Sequence, residues 1–401
     1  MKRYPCLIVE AKSDEICEKY VDSVIEVIRA KVTSANRDNR DNRGHRHRCP
    51  YRYKGSFLSR LKSGSAEKCN LRNKMASTVN TAFEEFLKDT VRLAADQTAT
   101  ARSSRDNLIT NLNGFSGDDD FFTLLPDCHL KFGSFARSTK IRPLDDIDLM
   151  ICISAQGRTY SHSGDTYYIN GLDSDSSNGL MTLNTTYLNS TKVINRFIKK
   201  LGSLNDYSKA EMHKNQEAAT LKLKSYDWNF DIVPCWHMDI DRFLIPDGLG
   251  NWKMTDPRID NQRTTDINQK HKGKLLDVIR IMKYWNNRTV TYTMGSYLLE
   301  CMVLDVYENK VEKENYWVDL EFRDLLNSLS SKIMYSVYDP KGIQGDLNTF
   351  SYDERVKIST ALSAAYKKAS EASTLEMTDK DQKAAISKWG EVLGYAFPDY
   401  S

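Results

Sequence analysis

No stretch of this 401-residue chain comes near eighteen consecutive apolar residues, so no membrane-spanning helix is expected. The opening Met1-Lys2-Arg3-Tyr4-Pro5-Cys6-Leu7-Ile8-Val9-Glu10 has too few apolar residues before charge returns to form a signal-peptide core. Closely spaced cysteine pairs are missing as well. The eight cysteines are scattered without a CxxC spacing, and Cys152, Cys235 and Cys301 lie among apolar neighbours. They read as reduced core thiols, which makes the cytoplasm the expected location.

Net charge is also small, with 57 Lys and Arg against 54 Asp and Glu. The balance is uneven along the chain. Residues 1–74 carry 18 basic against 9 acidic side chains, and residues 75–401 carry 39 against 45. The basic excess is concentrated between Arg37 and Arg72, in a polar stretch low in aliphatics that is expected to be largely disordered. Clustered arginine neutralises phosphates, so one reading is a nucleic-acid-binding arm. The favoured reading is a start that is not native, because Met75 directly precedes the first strong helical pattern. His45, His47 and Cys49 lack the second half of a zinc site.

What the chain does have is Gly133–Leu149, GSFARSTKIRPLDDIDL. A Gly-Ser pair is followed by Asp146-Ile147-Asp148 set among Leu144, Leu149, Met150 and Ile151. On a strand, Asp146 and Asp148 project from one face about 7 Å apart. Held there, they repel unless a divalent cation lies between them. Two Mg2+ ions (or Mn2+) about 4 Å apart would bind the pyrophosphate and the attacking hydroxyl of a nucleotidyl transfer. Gly133 and Ser134, opening a helix, would offer N–H groups and a hydroxyl to a triphosphate. Each piece alone is ordinary: a solvated strand face, a simple turn. The combination, feeding an apolar strand, is not explained by solubility.

A third carboxylate is expected from a neighbouring strand, and Asp231 in Phe230-Asp231-Ile232-Val233 is the candidate. An acid so framed is buried only where a cation neutralises it. Arg137, Lys140 and Arg142, in the loop between the turn and the carboxylates, are secondary candidates for phosphate contact. Asp173 and Asp175 lie in a flexible turn, Gly171–Gly179, without an apolar frame, and are expected to face solvent.

Periodicity places a helix over residues 13–31. A longer one begins near Ser77 as N-cap, with Val79, Phe83, Phe86 and Leu87 as its stripe, continuing through Val91 and Leu93. Phe121–Leu125 and the carboxylate strand to Ile153 start a sheet, and Thr166–Ile169 is the return strand of a hairpin. Helices follow near 187–201 and 274–287, then near 317–333, 351–373 and 380–395.

The segments GSFARST, PLDDIDLM, FDIVPCW and IMKYWN resemble the cGAS/DncV-like nucleotidyltransferases of the polymerase-β-like superfamily. The resemblance runs from about Ser77 to the C-terminus and takes in Ile245-Pro246-Asp247-Gly248, Lys388-Trp389 and Phe397-Pro398. It implies an α+β fold: a polymerase-β-like palm, a mixed β-sheet with helices, plus a helical C-terminal lobe like that of the oligoadenylate synthetases. The implied division is 1–74 as extension, 75–240 as the palm with a long spine helix, and 241–401 as a helical substrate-binding lobe. It also implies that Lys283 contacts the donor triphosphate, that Ser296 contacts phosphate, and that Tyr297 stacks on a base. From the residues alone, the alternative for Lys283 is a core lysine extending its charge to solvent, and for Ser296-Tyr297 a helix cap.

Bacterial members make cyclic di- or trinucleotides that switch on an effector in CBASS anti-phage signalling. The chain is therefore expected to be a second-messenger synthase acting on NTPs, ATP among them. Its further expected partners are the effector, reached through the product, and ancillary regulatory proteins. Neither membrane nor nucleic acid is expected to be required. The alternatives are a transferase adding NMP to RNA ends or to a protein, and a non-enzymatic sensor.

Overall fold

The computed structural model describes residues 75–401 apart from 205, 206, 208, 209, 290 and 291. The basic extension, the 13–31 helix and the His45–Cys49 cluster lie outside the described residues.

A two-residue strand β1 (Met75–Ala76) leads into helix α1 (Val79–Phe86), whose cap is Thr78 and not Ser77. Thr78 accepts from the Thr81 N–H and forms a reciprocal capping box with it, satisfying donors that the first helical turn leaves free. Val79, Ala82, Phe83 and Phe86 bury one face. The helix continues as a wider turn over Leu87–Val91, stops at Arg92, and resumes as α2 (Ala95–Asn113). The uninterrupted helix expected from the stripe is thus two segments. The cause is Arg142, whose guanidinium donates to the carbonyls of Arg92, Asp89 and Lys88, while its N–H donates to Val91. Those carbonyls would otherwise bond the next helical turn.

The mixed sheet is built from β2 (Leu130–Phe132), β3 (Asp146–Ile153), the hairpin β4 (Thr159–Ser163) and β5 (Thr166–Asn170), the hairpin β6 (Glu211–Asn215) and β7 (Ala218–Lys222), then β8 (Asn229–His237), β9 (Phe243–Pro246) and β10 (Trp252–Thr255). Its order is β2-β3-β8-β9-β10-β5-β4, with β7 also pairing β8. Strand β3 runs parallel to β8 and antiparallel to β2. Phe121–Leu125 forms no strand; its one ladder contact is Leu124 opposite Ile153, because Phe121 and Phe122 turn inward onto Phe197.

Three short or medium helices lie along this half: α3 (Gly133–Ala136), α4 (Asp173–Ser177) and α5 (Ser190–Gly202). Helix α5 buries Val193, Ile194, Phe197 and Leu201, a single helical face. In α4 the structure corrects the expectation of an exposed turn. Asp173 faces solvent, but Asp175 is 3% exposed and accepts two hydrogen bonds of 2.7 Å from Arg158. A buried carboxylate is held by such a forked guanidinium pair.

The C-terminal half is helical: α6 (Pro257–Lys270), α7 (Leu275–Thr289), α8 (Ser296–Glu308), α9 (Val318–Lys332), α10 (Tyr352–Met377) and α11 (Gln382–Leu393). Two main cores result. The palm core gathers Leu108, Ile147, Phe197, Phe230 and Trp252. The helical core gathers Phe86, Met282, Leu299, Leu326 and Trp389. Helix α1 belongs to the helical core and α2 to the palm core, so the broken helix joins the two. Cys152, Cys235 and Cys301 are buried free thiols, as expected.

Candidate active site

The parallel pairing of β3 with β8 sets Asp148 beside Asp231, and the antiparallel pairing with β2 sets Phe132 on its other side. Neighbours in register project from the same face, so one row across the sheet reads Phe132, Asp148, Asp231. Asp146 lies two positions back on β3, on the same face.

The chain leaves β2 at Gly133, with φ +74°. A β-carbon there would meet Asp148 Oδ2 at 1.8 Å, so both the backbone angle and the space require glycine. The Gly133–Ala136 turn is held by Ser134, whose carbonyl accepts from the N–H groups of Thr139 (2.9 Å) and Lys140 (3.1 Å). This folds the loop back and brings the Lys140 ammonium 2.5 Å from Asp146, with Asp145 on its other side. Asp231 Oδ1 accepts from the buried Thr220 hydroxyl at 2.6 Å.

The electrostatics are those of crowded acids. Burial, and then the charges of Asp146 and Asp231, push the Asp148 carboxyl up to about 7. Burial also raises Asp231, with the Thr220 hydrogen bond opposing it. Among the described residues no three acidic, His or Cys side chains already converge on one point. Asp146 is turned to Lys140 and Asp231 to Thr220. The donor set nevertheless suits a hard divalent cation: three carboxylates, all oxygen, on one face of the sheet.

Asp148 and Asp231, but not Asp146, line a cleft of about 820 Å³ together with Gly133, Arg137, Tyr297 and Lys341 among others. A groove of similar volume, about 890 Å³, lies between α2 and Tyr226, but among the described residues its lining has no carboxylate. Of the two, the first is the one that Asp148 and Asp231 line.

The remaining sequence candidates fall unevenly around the cleft. Tyr297 lines it, but its hydroxyl is hydrogen bonded at 2.8 Å to both Asp260 and Asp339, and the Lys341 ammonium lies 4.2 Å from its ring centre. Ser296 opens α8 as expected, exposed and one residue short of the lining. Lys283 is neither in the cleft nor extended to solvent. It is 4% exposed, donates to Thr139 O at 3.2 Å, and is paired with Glu300 at 2.6 Å. Glu300 also accepts from Arg137 Nε at 3.0 Å, so one buried acid secures two cations. The two cations hold Glu300 below the usual carboxylate range against its burial, and burial lowers Lys283. Arg142, the third loop cation, serves the helix break and not the cleft.

Sequence reasoning missed Thr220, Glu300 and Lys341. Glu300 carried a readable signal: a lone acid within Leu298-Leu299-Glu300-Cys301-Met302-Val303, where burial demands a cationic partner.

A glycine turn packed on a strand-borne carboxylate pair, with a third acid on the adjacent parallel strand, defines a nucleotidyltransferase palm. The sequence profile of the second messenger oligonucleotide or dinucleotide synthetase domain matches residues 77–268. A probable cyclic nucleotide synthase of Bacillus cereus (strain VD146) is 42% identical over 336 residues, spanning 81% of this chain and 99% of that protein. Among solved structures, Escherichia coli CdnC with ATP superimposes with a TM-score of 0.60 at 16% identity, covering 79% of this chain and 98% of that one. Vibrio cholerae DncV, a cyclic AMP-GMP synthase with nonhydrolyzable GTP, gives 0.57 at 12%, covering 80% and 97%. Likeness at those identities concerns the fold alone. With the 42% identical relative, the assignment is direct: the chain belongs to the cGAS/DncV-like nucleotidyltransferases, the second-messenger nucleotide synthetases. It is an enzyme of the nucleotidyltransferase class.

Proposed function

We propose that the chain condenses NTPs into a cyclic di- or trinucleotide, and that this product switches on an effector in anti-phage (CBASS) signalling. The observation that carries the reading is the row formed by Asp148 and Asp231 with Gly133 packed against it. Such packing leaves room for nothing bulkier than hydrogen on Gly133. The relatives support the choice of substrate, since CdnC is seen with ATP and DncV with a GTP analogue.

Asp146, Asp148 and Asp231 would hold two Mg2+ ions, or Mn2+, which when bound neutralise the leaving pyrophosphate and lower the pKa of the acceptor hydroxyl. The rest is positioning by the chain itself. The Gly133–Ser134 turn receives the donor β- and γ-phosphates. Arg137 and Lys283, fixed by Glu300, supply a positive field behind that turn, and Lys283 steadies it through Thr139 O. For Lys283 to touch phosphate directly, it must leave Glu300. Lys140 keeps Asp146 neutralised until substrate arrives. Tyr297, pinned by Asp260 and Asp339, presents a fixed ring wall to a base. In-line attack by the acceptor hydroxyl on the donor α-phosphate then expels pyrophosphate, with positioning and charge neutralisation supplying most of the rate. The linear product re-enters as donor for ring closure. Of partner proteins, CdnC is seen with a HORMA protein, and an ancillary regulator of this kind is proposed here. We place the enzyme in the cytoplasm, where NTPs are found.

The test is mass spectrometry of products formed from all four NTPs with Mg2+, beside an Asp146→Asn/Asp148→Asn control. A cyclic oligonucleotide that disappears in the control supports the reading. Nucleotide transferred only to added RNA or to protein overturns it.

A further inference from the structure

The wall of the cleft that carries Tyr297 is tied together by one buried ammonium. Lys341 lies in the connection between α9 and α10, and its side chain is 3% exposed. Its N–H donors meet Asp339 Oδ1 at 2.8 Å, Asp260 Oδ2 at 3.2 Å, and the Tyr297 hydroxyl oxygen. A lysine has three such donors, and all are engaged. The hydroxyl itself stands 2.8 Å from both Asp260 Oδ1 and Asp339 Oδ1. A phenol has one proton and serves one carboxylate at a time, so the lysine charge is what holds both acids around it. Three parts of the chain meet here: Asp260 on α6, Tyr297 on α8, and the loop over residues 339–345.

That loop is wound on the same carboxylate. Asp339 accepts from the N–H of Lys341 through Oδ1 at 3.3 Å, and from those of Ile343 and Gln344 through Oδ2 at 3.2 and 3.0 Å. Gly342 N–H donates to Asp339 O, and Asp339 N–H donates to Gly345 O, both at 2.9 Å. Lys341 and the Gly342–Gln344 tip line the cleft with Tyr297. The hydrogen bonds of this network stay within the helical half and do not reach Gly133 or the palm carboxylates. A buried ion set adds little net stability over an apolar filling of the same shape; what it can add is a fixed orientation. Here the oriented group is an aromatic ring in the cleft wall. A ring fixed in advance costs less to order when a base stacks on it.

We propose that Lys341 is a positioning residue for the nucleobase. Through the Tyr297 hydroxyl and Asp339 it holds the ring and the Gly342–Gln344 edge in the orientation that receives a base. It thereby sets affinity for the nucleoside part of an NTP and leaves the phosphates untouched. This rests on the reading of the cleft as an NTP site.

The test is calorimetric titration of the full chain, in Mg2+, with two probes. One is an ATP analogue with a methylene group between the α- and β-phosphorus atoms, which cannot be cleaved there. The other is inorganic tripolyphosphate, which has no base. Lys341→Met keeps the stem and deletes the charge, while Tyr297→Phe keeps the ring and deletes the hydroxyl. Each variant is expected to bind the analogue about tenfold more weakly, the scale of a disturbed base stack, with tripolyphosphate unchanged. The double variant should lose no more than either single one, because Lys341 acts through the ring. Equal weakening of both probes, unchanged affinity for the analogue, or additive losses overturns the proposal. Tyr297→Phe keeps every charge of the network, so it decides the matter should Lys341→Met fail to fold. A parent that binds the analogue no better than tripolyphosphate removes the NTP reading itself and the proposal with it, so the parent titration tells the two failures apart.

Discussion

A β-carbon on Gly133 would lie 1.8 Å from Oδ2 of Asp148, closer than any two unbonded atoms can stand. The Gly133 turn and the carboxylate strand are therefore one packed unit, and the turn cannot drift without moving Asp148. Gly133→Ala adds a left-handed backbone penalty of about 1–2 kcal/mol to the clash. NTP turnover is expected to fall on the order of 100-fold, since a 1 Å displacement of reacting groups costs that much. Thermal unfolding of the variant should shift down by only a few degrees, which separates misplacement from loss of the fold.

Without metal, Asp148 makes the protein acid-stabilised. Its carboxyl titrates near 7 in the folded chain against an ordinary 3.8, so the folded state binds the extra proton between those values. Stability should fall as pH rises through that window, by at most on the order of 4 kcal/mol, and be lowest above it. Asp148→Asn should therefore melt higher than the parent at pH 8 in EDTA and no higher at pH 4. Mg2+ added at pH 8 should raise the melting temperature of the parent and leave the variant unmoved. Calorimetry across pH checks both statements.

Glu300 is the buried anion between Arg137 and Lys283. Glu300→Gln leaves two buried cations without their counter-charge, and breaking such a set costs about 3–5 kcal/mol. Urea unfolding should register that loss. Lys283→Met should cost less, because Arg137 still satisfies Glu300. If Lys283 acts at the triphosphate, the variant should also raise the apparent KM for NTP.

Thr220 is a positioning residue for Asp231, bonded to it at 2.6 Å. Thr220→Val keeps the shape and deletes the donor, while Thr220→Ser keeps the donor. Outer-shell partners of this kind typically matter about 10–100-fold in metal affinity. Mn2+ binding followed by electron paramagnetic resonance should weaken by about that factor in Thr220→Val and stay near the parent in Thr220→Ser.

The legible part of this protein was what a strand or helix period encodes locally. Asp146 and Asp148 share a face because β side chains alternate, and the helices at 190–202, 275–289 and 318–332 fall where apolar residues recur at helical spacing. The break at Arg92 was not legible, because it depends on Arg142, fifty positions away in the chain. The same holds for Asp175, whose burial depends on Arg158, seventeen positions away, folding over it.

By itself, the sequence determined which residues lie together on each element's face, and so the carboxylate pair, the glycine turn and the acid of β8. Side-chain alternation and steric limits on φ act within a few residues, and no distant partner is needed to read them. Tertiary structure decided where the charges go. Lys283 bonds Thr139 across 144 positions and Arg137 reaches Glu300 across 163, so a lysine that could have faced phosphate is locked behind the turn. A buried ion must be neutralised by whatever the fold brings within about 3 Å, and that choice exists only once the chain has closed on itself.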